Sequence, residues 1–274
     1  MLGPSIDVPS QLGFVDIKPI LLRLGDLATA KLVLVGGQAI NFWSDYYSRQ
    51  GRFVEPASQA PLTSKDIDFC ASREEVEQCA TLLNGTLRLA AIDDHTPNIG
   101  IVTFLDEQGI KHDIDFIESP YGLNASDVFR TASPLDLLDD QGLPSGVHFQ
   151  VMHPVWCMMS RVHNTMRLPG YNTPHALRQL RASVVCAREF LVDLLNADHQ
   201  RAVLKLNERI FSFCHWTDVG RKVPQLHAVD PFDSVLVDDR LPKVFREVRY
   251  PQMREWLESR RKRALRRVHP APGE

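Results

Sequence analysis

The sequence predicts a mixed α/β front half followed by a mainly helical back half, and three observations carry that reading. Short β-rich runs bounded by turn residues recur through the first 120 residues, at 31–35 (KLVLV), 66–71 (DIDFCA), 99–105 and 110–117, with helical spacing between them. From about residue 152 onward the apolar positions recur mostly at helical spacing. The charge also changes sign: residues 1–150 carry 10 basic and 21 acidic side chains, and residues 151–274 carry 21 and 13. The expected boundary lies near residues 150–154, giving domains 1–150 and 151–274.

Taken in order, residues 15–30 show apolar positions at helical spacing, with Gly25 and Asp26 as a weak point. KLVLV reads as a buried strand that Gly36 and Gly37 break, and QAINFWSDYYS then places Ala39, Ile40, Trp43 and Tyr47 on one helical side. Residues 49–62, with Gly51, Pro56 and Pro61, read as a long loop. Ser72 followed by Glu74 and Glu75 is an N-cap signature for a helix after the DIDFCA strand. The runs 99–105 and 110–117 are joined through Asp106 to Gly109 and predict a hairpin. Residues 120–150, rich in Gly and Pro, read as irregular or short elements. The strongest helix in the back half is 173–195, and the chain ends in a basic helix that runs into a Pro-rich tail.

The 274 residues are 44% apolar and 24% charged, an ordinary globular balance. No run of about eighteen apolar residues is present, so no membrane span is expected. The first residues lack the basic start and apolar stretch of a secretory signal, and a cytoplasmic location is expected. Five widely spaced cysteines without a CxxC pair fit reduced thiols better than a disulfide scaffold or a zinc site.

Two stretches bear chemistry. Side chains at i and i+2 of a strand share a face, so Asp66 and Asp68 would stand side by side while Ile67 and Phe69 turn to the core. Adjacent anions repel unless a cation sits between them, and Mg²⁺ prefers such oxygen donors together with substrate phosphates. IKHDIDFIES repeats the pattern with Asp113 and Asp115, so neighbouring strands could bring three or four carboxylates together. One such pair alone can equally be the solvated face of a half-exposed strand. The Gly36-Gly37 pair, between a strand and a helix, lets backbone approach another group and exposes first-turn N–H groups, where a phosphate oxygen binds well. The same pair also serves tight turns with no ligand, and neither a Walker loop nor a dinucleotide fingerprint is present.

The order of these pieces, VGGQAI at 35–40, TSKDIDF at 63–69 and KHDIDFIES at 111–119, resembles the DNA-polymerase-β-type nucleotidyltransferase superfamily. Within it the chain most resembles the AbiEii-like and MenA-like nucleotidyltransferases, many of them toxins of toxin–antitoxin pairs. The resemblance covers about residues 30–120. It implies a nucleotidyltransferase-type mixed sheet with flanking helices, followed by a mainly helical domain. It implies that Gly36 and Gly37 contact the triphosphate of an NTP, and that Asp66 and Asp68 bind two Mg²⁺. A third carboxylate is implied as well; it is assigned to Asp115, with Asp113 as the rival. Ser64 and Lys65, just ahead of the aspartates, are assigned to the nucleotide. The activity implied is transfer of NMP to an acceptor hydroxyl, with the 3′ end of tRNA as acceptor and a cognate antitoxin as partner. A small-molecule acceptor, or a catalytically degenerate binding module of the same fold, are the alternatives. The spacing from Gly37 to Asp66 is longer than the family's, which makes 46–62 an expected insertion or mobile loop.

In the back half, residues 153–166 carry groups able to meet a nucleotide. By the same analogy Arg161 is assigned to the triphosphate or base, with Asn164 and Ser160 as further candidates; an interdomain ion pair would explain Arg161 equally well. His163 reads as a structural histidine, and His112 cannot pair with Asp113 because strand neighbours face opposite sides. Residues 259–268 place six basic side chains in ten positions, which suits an RNA backbone or a solvated terminal helix.

Overall fold

The computed structural model describes residues 12–25, 27, 32–53, 62–91, 93, 98–138 and 143–268, with the backbone only for 264–268. These divide between two compact units, the first Met1–Tyr46 with Val54–His153, the second Tyr47–Phe53 with Pro154–Glu274.

The first unit is built on one mixed seven-stranded sheet. In chain order its elements are α1 (Phe14–Leu24), β1 (Val33–Leu34), α2 (Gly36–Arg49, whose last turn belongs to the second unit), β2 (Ile67–Cys70), α3 (Arg73–Leu82), β3 (Thr86–Leu89), β4 (Asn98–Leu105), β5 (Lys111–Ile117), α4 (Ala125–Thr131), β6 (Ser133–Leu138) and β7 (Pro144–Val151). The strand order is β3-β4-β5-β2-β1-β7-β6, with β2 parallel to β5, β1 parallel to β7, and the other pairs antiparallel. Alternation sorts the central strands. Ile67, Phe69, Ile114, Phe116, Val102 and Phe104 are buried, and the Phe69 and Phe116 rings stack at 6.0 Å. Helices α1 and α3 pack on this side, and Arg23 of α1 donates to the Leu83 carbonyl at 2.9 Å.

Several local signals act as read. Ser72 caps α3 in a capping box with Glu75, and Gly25 ends α1. The hairpin β4–β5 forms where expected, its turn held by Asp106 Oδ1, which accepts from the backbone N–H of Gln108 and Ile110. Three expectations need correction, and one open alternative is resolved. Strand β1 is two residues long and the helix already begins at Gly36, because the glycines form its first turn rather than a separate break. Of the two readings of 120–150, short elements hold: α4 leads into the β6–β7 hairpin, and β7 buries Phe149 and Val151 beside β1. Pro134, Pro144 and Gly146 masked that alternation in the sequence. Residues 49–53 are not a free loop; α2 runs to Arg49, and Arg52 anchors the turn after it. Residues 54–61 lie outside the described residues. Asp66 stands at a bend just before β2, not within the strand.

The second unit is helical: α5 (Pro154–Arg167), α6 (Pro174–Asn196), α7 (Gln200–Trp216), α8 (Asp218–His227), a 3₁₀ turn (Pro231–Ser234), a π-helical turn (Phe245–Arg249) and α9 (Tyr250–Val268). Thr173 caps α6, accepting from the Ala176 N–H at 3.2 Å. Buried Asn207 exchanges two 2.9 Å bonds with the Leu236 backbone and fixes the chain after the 3₁₀ turn. Arg52 joins this unit because its guanidinium meets the Glu189 carboxylate at 2.7 Å, the Glu189 carbonyl at 2.7 Å and Asp193; Tyr47 Oη donates to Asp193 at 3.0 Å. All five cysteines are free and buried. Among the described residues no helix is long and apolar enough to cross a membrane.

Candidate functional site

The parallel pairing of β2 with β5 puts Ile67 beside Ile114, Asp68 beside Asp115 and Phe69 beside Phe116. The IDF parts of the two DIDF segments are therefore aligned residue for residue. The apolar members share the buried side, so Asp68 and Asp115 share the other. Each is half-buried, whereas Asp66 and Asp113 are exposed. Asp113 is held at the surface, accepting from Thr103 Oγ1 at 2.5 Å and lying 3.7 Å from Lys111 Nζ. Register thus sets Asp115, not Asp113, opposite Asp68.

Charge accumulates at this point. Burial first, then the neighbouring Asp66 and Asp113 carboxylates, raise the Asp115 carboxyl to about 6, against the opposing charge of Arg88. Asp66, although outside the strand, is thus close enough for Asp115 to feel it. The pairings continue across the sheet as a row: Arg88 on β3, Ile101 on β4, Asp115 on β5, Asp68 on β2. Sequence reading missed Arg88. Its only signal was a basic residue in an alternating TLRL run, and the topology that brings β3 to this row was invisible.

The row ends at the glycines. The Val35 N–H donates to the Asp68 carbonyl at 2.9 Å, and α2 starts at the next residue. Gly36 has φ +62°, the left-handed region that favours glycine. A Cβ there would lie 2.0 Å from Asp68 Oδ2 and 2.9 Å from its Cγ. Only glycine allows the Asp68 carboxylate and the α2 N-terminus to approach this closely. Gly37 is buried behind it, and α2 is fixed by Gln38, which donates to the Leu12 carbonyl at 3.0 Å, and by Trp43, which donates to the Met152 carbonyl at 2.9 Å.

The other expected residues are placed as follows. Ser64 is tied by both backbone groups to Leu12, at 2.8 and 2.9 Å, and Lys65 is exposed at the bend with Asp66. Arg161, Asn164 and Ser160 belong to the second unit. Arg161 is 4% exposed, its guanidinium 5.6 Å from the centre of the Tyr171 ring; Ser160 is buried. Asn164 Oδ1 and Thr165 Oγ1 are buried without a hydrogen-bond partner among the described residues. His163 packs on Phe213 at 5.7 Å, and His112 pairs with Asp106 at 2.8 Å rather than with Asp113.

Among the described residues, no group of three or more His, Cys, Asp or Glu is arranged to hold a metal ion. The aligned pair Asp68 and Asp115 nevertheless fits a hard divalent cation: its donors are carboxylate oxygens only, and like charge is concentrated where the pair sits. Mg²⁺ needs no all-protein cage, since one or two carboxylates with waters and substrate phosphates suffice.

No protein family model matches the chain, and no curated protein does. Solved structures similar to it include an antigenic nucleotidyltransferase-like protein from Paracoccidioides brasiliensis, at 10% identity over 64% of this chain and 78% of that one, TM-score 0.38. The antibiotic-resistance factor ANT(2'')-Ia is 15% identical over 72% of this chain and 95% of that one, TM-score 0.38. JHP933 from Helicobacter pylori is 12% identical over 93% of this chain and 95% of that one, TM-score 0.38. At that level of likeness, activity has to be read from this chain's own residues.

Proposed function

We propose that the protein is a metal-dependent nucleotidyltransferase that moves NMP from an NTP to an acceptor hydroxyl. The observation that supports it is the register of the two DIDF strands, which sets Asp68 and Asp115 side by side against the glycine N-terminus of α2. Asp66, Asp68 and Asp115 would hold Mg²⁺, two ions in the full complex. Such ions supply charge neutralisation for the triphosphate and for the displacement at its α-phosphorus.

The chain's own residues do the rest. Gly36 and Gly37 bring first-turn N–H groups to the triphosphate, where the helix N-terminus favours an anion. Lys65 and Ser64 would serve the nucleotide, as the sequence resemblance implies. Asp115 would accept the proton of the acceptor hydroxyl. The hydroxyl oxygen then bonds to the α-phosphorus, the bond to the β-phosphate oxygen breaks, and pyrophosphate leaves. Arg161 and Asn164 of the second unit would serve the nucleotide as the sequence resemblance implies. The finer reading, the 3′ end of tRNA as acceptor and a cognate antitoxin as partner, rests on that resemblance, as does the alternative of a small-molecule acceptor.

The test is label transfer. Purified protein with Mg²⁺ is incubated with each α-labelled NTP and bulk tRNA, beside Asp66→Ala and Asp68→Ala. Label reaching tRNA only with the wild type supports the RNA reading, and label on a small molecule supports the alternative. Full activity in either folded variant shows that the aspartate assignment is wrong. No label and no NTP binding by calorimetry would leave the degenerate module.

A further inference from the structure

In the second unit, α7 and α9 meet along a seam that leaves two indoles in solvent. Trp216, the last residue of α7, is 64% exposed, and Trp256 of α9 is 47% exposed. Tryptophan is highly buried on average, so two open ones on a single seam call for a partner. Aromatic contacts connect them: Trp256 to Phe211 at 6.3 Å, Phe211 to His215 at 5.2 Å, His215 to Trp216 at 4.5 Å. Guanidinium groups lie over the rings, Arg260 at 4.9 Å from Trp216 and Arg249 at 5.3 Å from Trp256. Trp256 and Arg260 are one helical turn apart and so lie on one face of α9.

The charge on this seam is predominantly positive. Helix α9 carries seven basic side chains and two acidic ones. Three nearby arginines are occupied: Arg249 forks onto Glu208 at 2.7 and 2.6 Å, Arg261 onto Asp230 at 2.6 and 2.7 Å, and Arg254 lies 3.8 Å from Glu258. Arg260, Lys262 and Arg263 stand exposed beyond those pairs. Burial first, then the Arg260 and Arg221 charges, keep His215 below the usual imidazole range, so the local field is positive.

A protein partner would also use exposed Trp and Arg. The excess of cations around flat aromatic faces favours a polyanion that itself presents flat faces. A duplex hides its base faces in the stack and offers mainly phosphate, whereas a single strand offers both. We propose that the α7–α9 seam binds single-stranded nucleic acid, with bases stacking on Trp216 and Trp256 and phosphates meeting Arg260, Lys262 and Arg263. This goes beyond nucleotidyl transfer, because a strand would bind here whether or not the aspartates act on it.

The experiment titrates full-length protein, without NTP or Mg²⁺, into labelled oligoadenylate of about 12 nucleotides. RNA, DNA and a duplex of equal length are each followed by fluorescence anisotropy at about 50 and 200 mM salt. Single strands should bind more tightly than duplex, and a preference between RNA and DNA names the source of the strand. Trp216→Ala and Trp256→Ala should each weaken binding about tenfold, while Trp216→Phe keeps most of it. Arg260→Gln should flatten the salt slope by about 0.7. Circular dichroism checks each fold, and Trp216, the more exposed indole, carries the test if the other variant unfolds. Equal binding of duplex, or unchanged binding by folded Trp→Ala variants, overturns the proposal. So does a seam that binds no strand but whose Trp216→Ala variant dissociates a dimer, since that marks a protein interface.

Discussion

Replacing Gly36 by Ala tests the close approach on which the candidate site depends. Two costs separate. The backbone sits at φ +62°, where an L-residue loses about 1–2 kcal/mol. The new Cβ would lie 2.0 Å from Asp68 Oδ2, so the carboxylate has to retreat by more than about 1 Å to reach an ordinary contact. Forcing an extra carbon into a packed place adds about 1–3 kcal/mol. The variant should thus lose about 2–5 kcal/mol in urea unfolding and, with Asp68 displaced, about 100-fold or more in label transfer from an NTP. Gly109→Ala supplies the strain alone, since Gly109 has φ +76° with nothing within 4 Å of its Cβ. A double-mutant cycle isolates the clash: in an Asp68→Gly background, which also removes the Asp68 Cβ 3.1 Å from the new carbon, Gly36→Ala should cost only its strain, leaving a coupling of about 1–3 kcal/mol. A coupling near zero, or wild-type transfer by Gly36→Ala, would refute the reasoning.

Three further outcomes are expected. Asp115→Asn removes a half-buried carboxylate whose pKa is raised to about 6; since the ionised form disfavours the fold above the unfolded-state value near 3.8, the variant should be more stable at pH 8 in EDTA by about 1 kcal/mol after solvent screening. It should also be inactive, and a destabilised Asp115→Asn protein would contradict the electrostatics. Burial lowers His153 to about 3, so protons go preferentially to the unfolded chain. Its contribution is intact above the unfolded pKa near 6.5 and falls by up to about 1.4 kcal/mol per pH unit toward pH 3. Denaturation midpoints measured from pH 7 to pH 4 should fall less steeply in His153→Leu. Arg52→Ala removes the contacts to Glu189 and Asp193 and should cost about 2 kcal/mol in urea unfolding; no loss would show that the turn after α2 holds without them.

Elements fixed by local chemistry were readable from the chain. Ser72 with Glu75, Thr173 before Pro174, and the Asp106 turn each satisfy backbone groups a few residues away, so their helices and hairpin stand where the sequence puts them. Hairpin β6–β7 was not readable, because its place depends on pairing with β1, more than a hundred residues earlier. Asp66 departs from its strand reading for a related reason: Ser64, two residues before it, is tied to Leu12, and the bend follows that distant bridge.

What the sequence determined by itself was the pair of DIDF segments and the apolar alternation that turns Ile and Phe inward and the aspartates out. That follows from the period of a strand, which needs no partner. Tertiary structure alone decided that β2 and β5 run parallel and adjacent, that Asp68 rather than Asp66 faces Asp115, and that Gly36 lies against Asp68. Those relations depend on register between distant segments, and register is set by what the whole sheet buries, which no short stretch encodes.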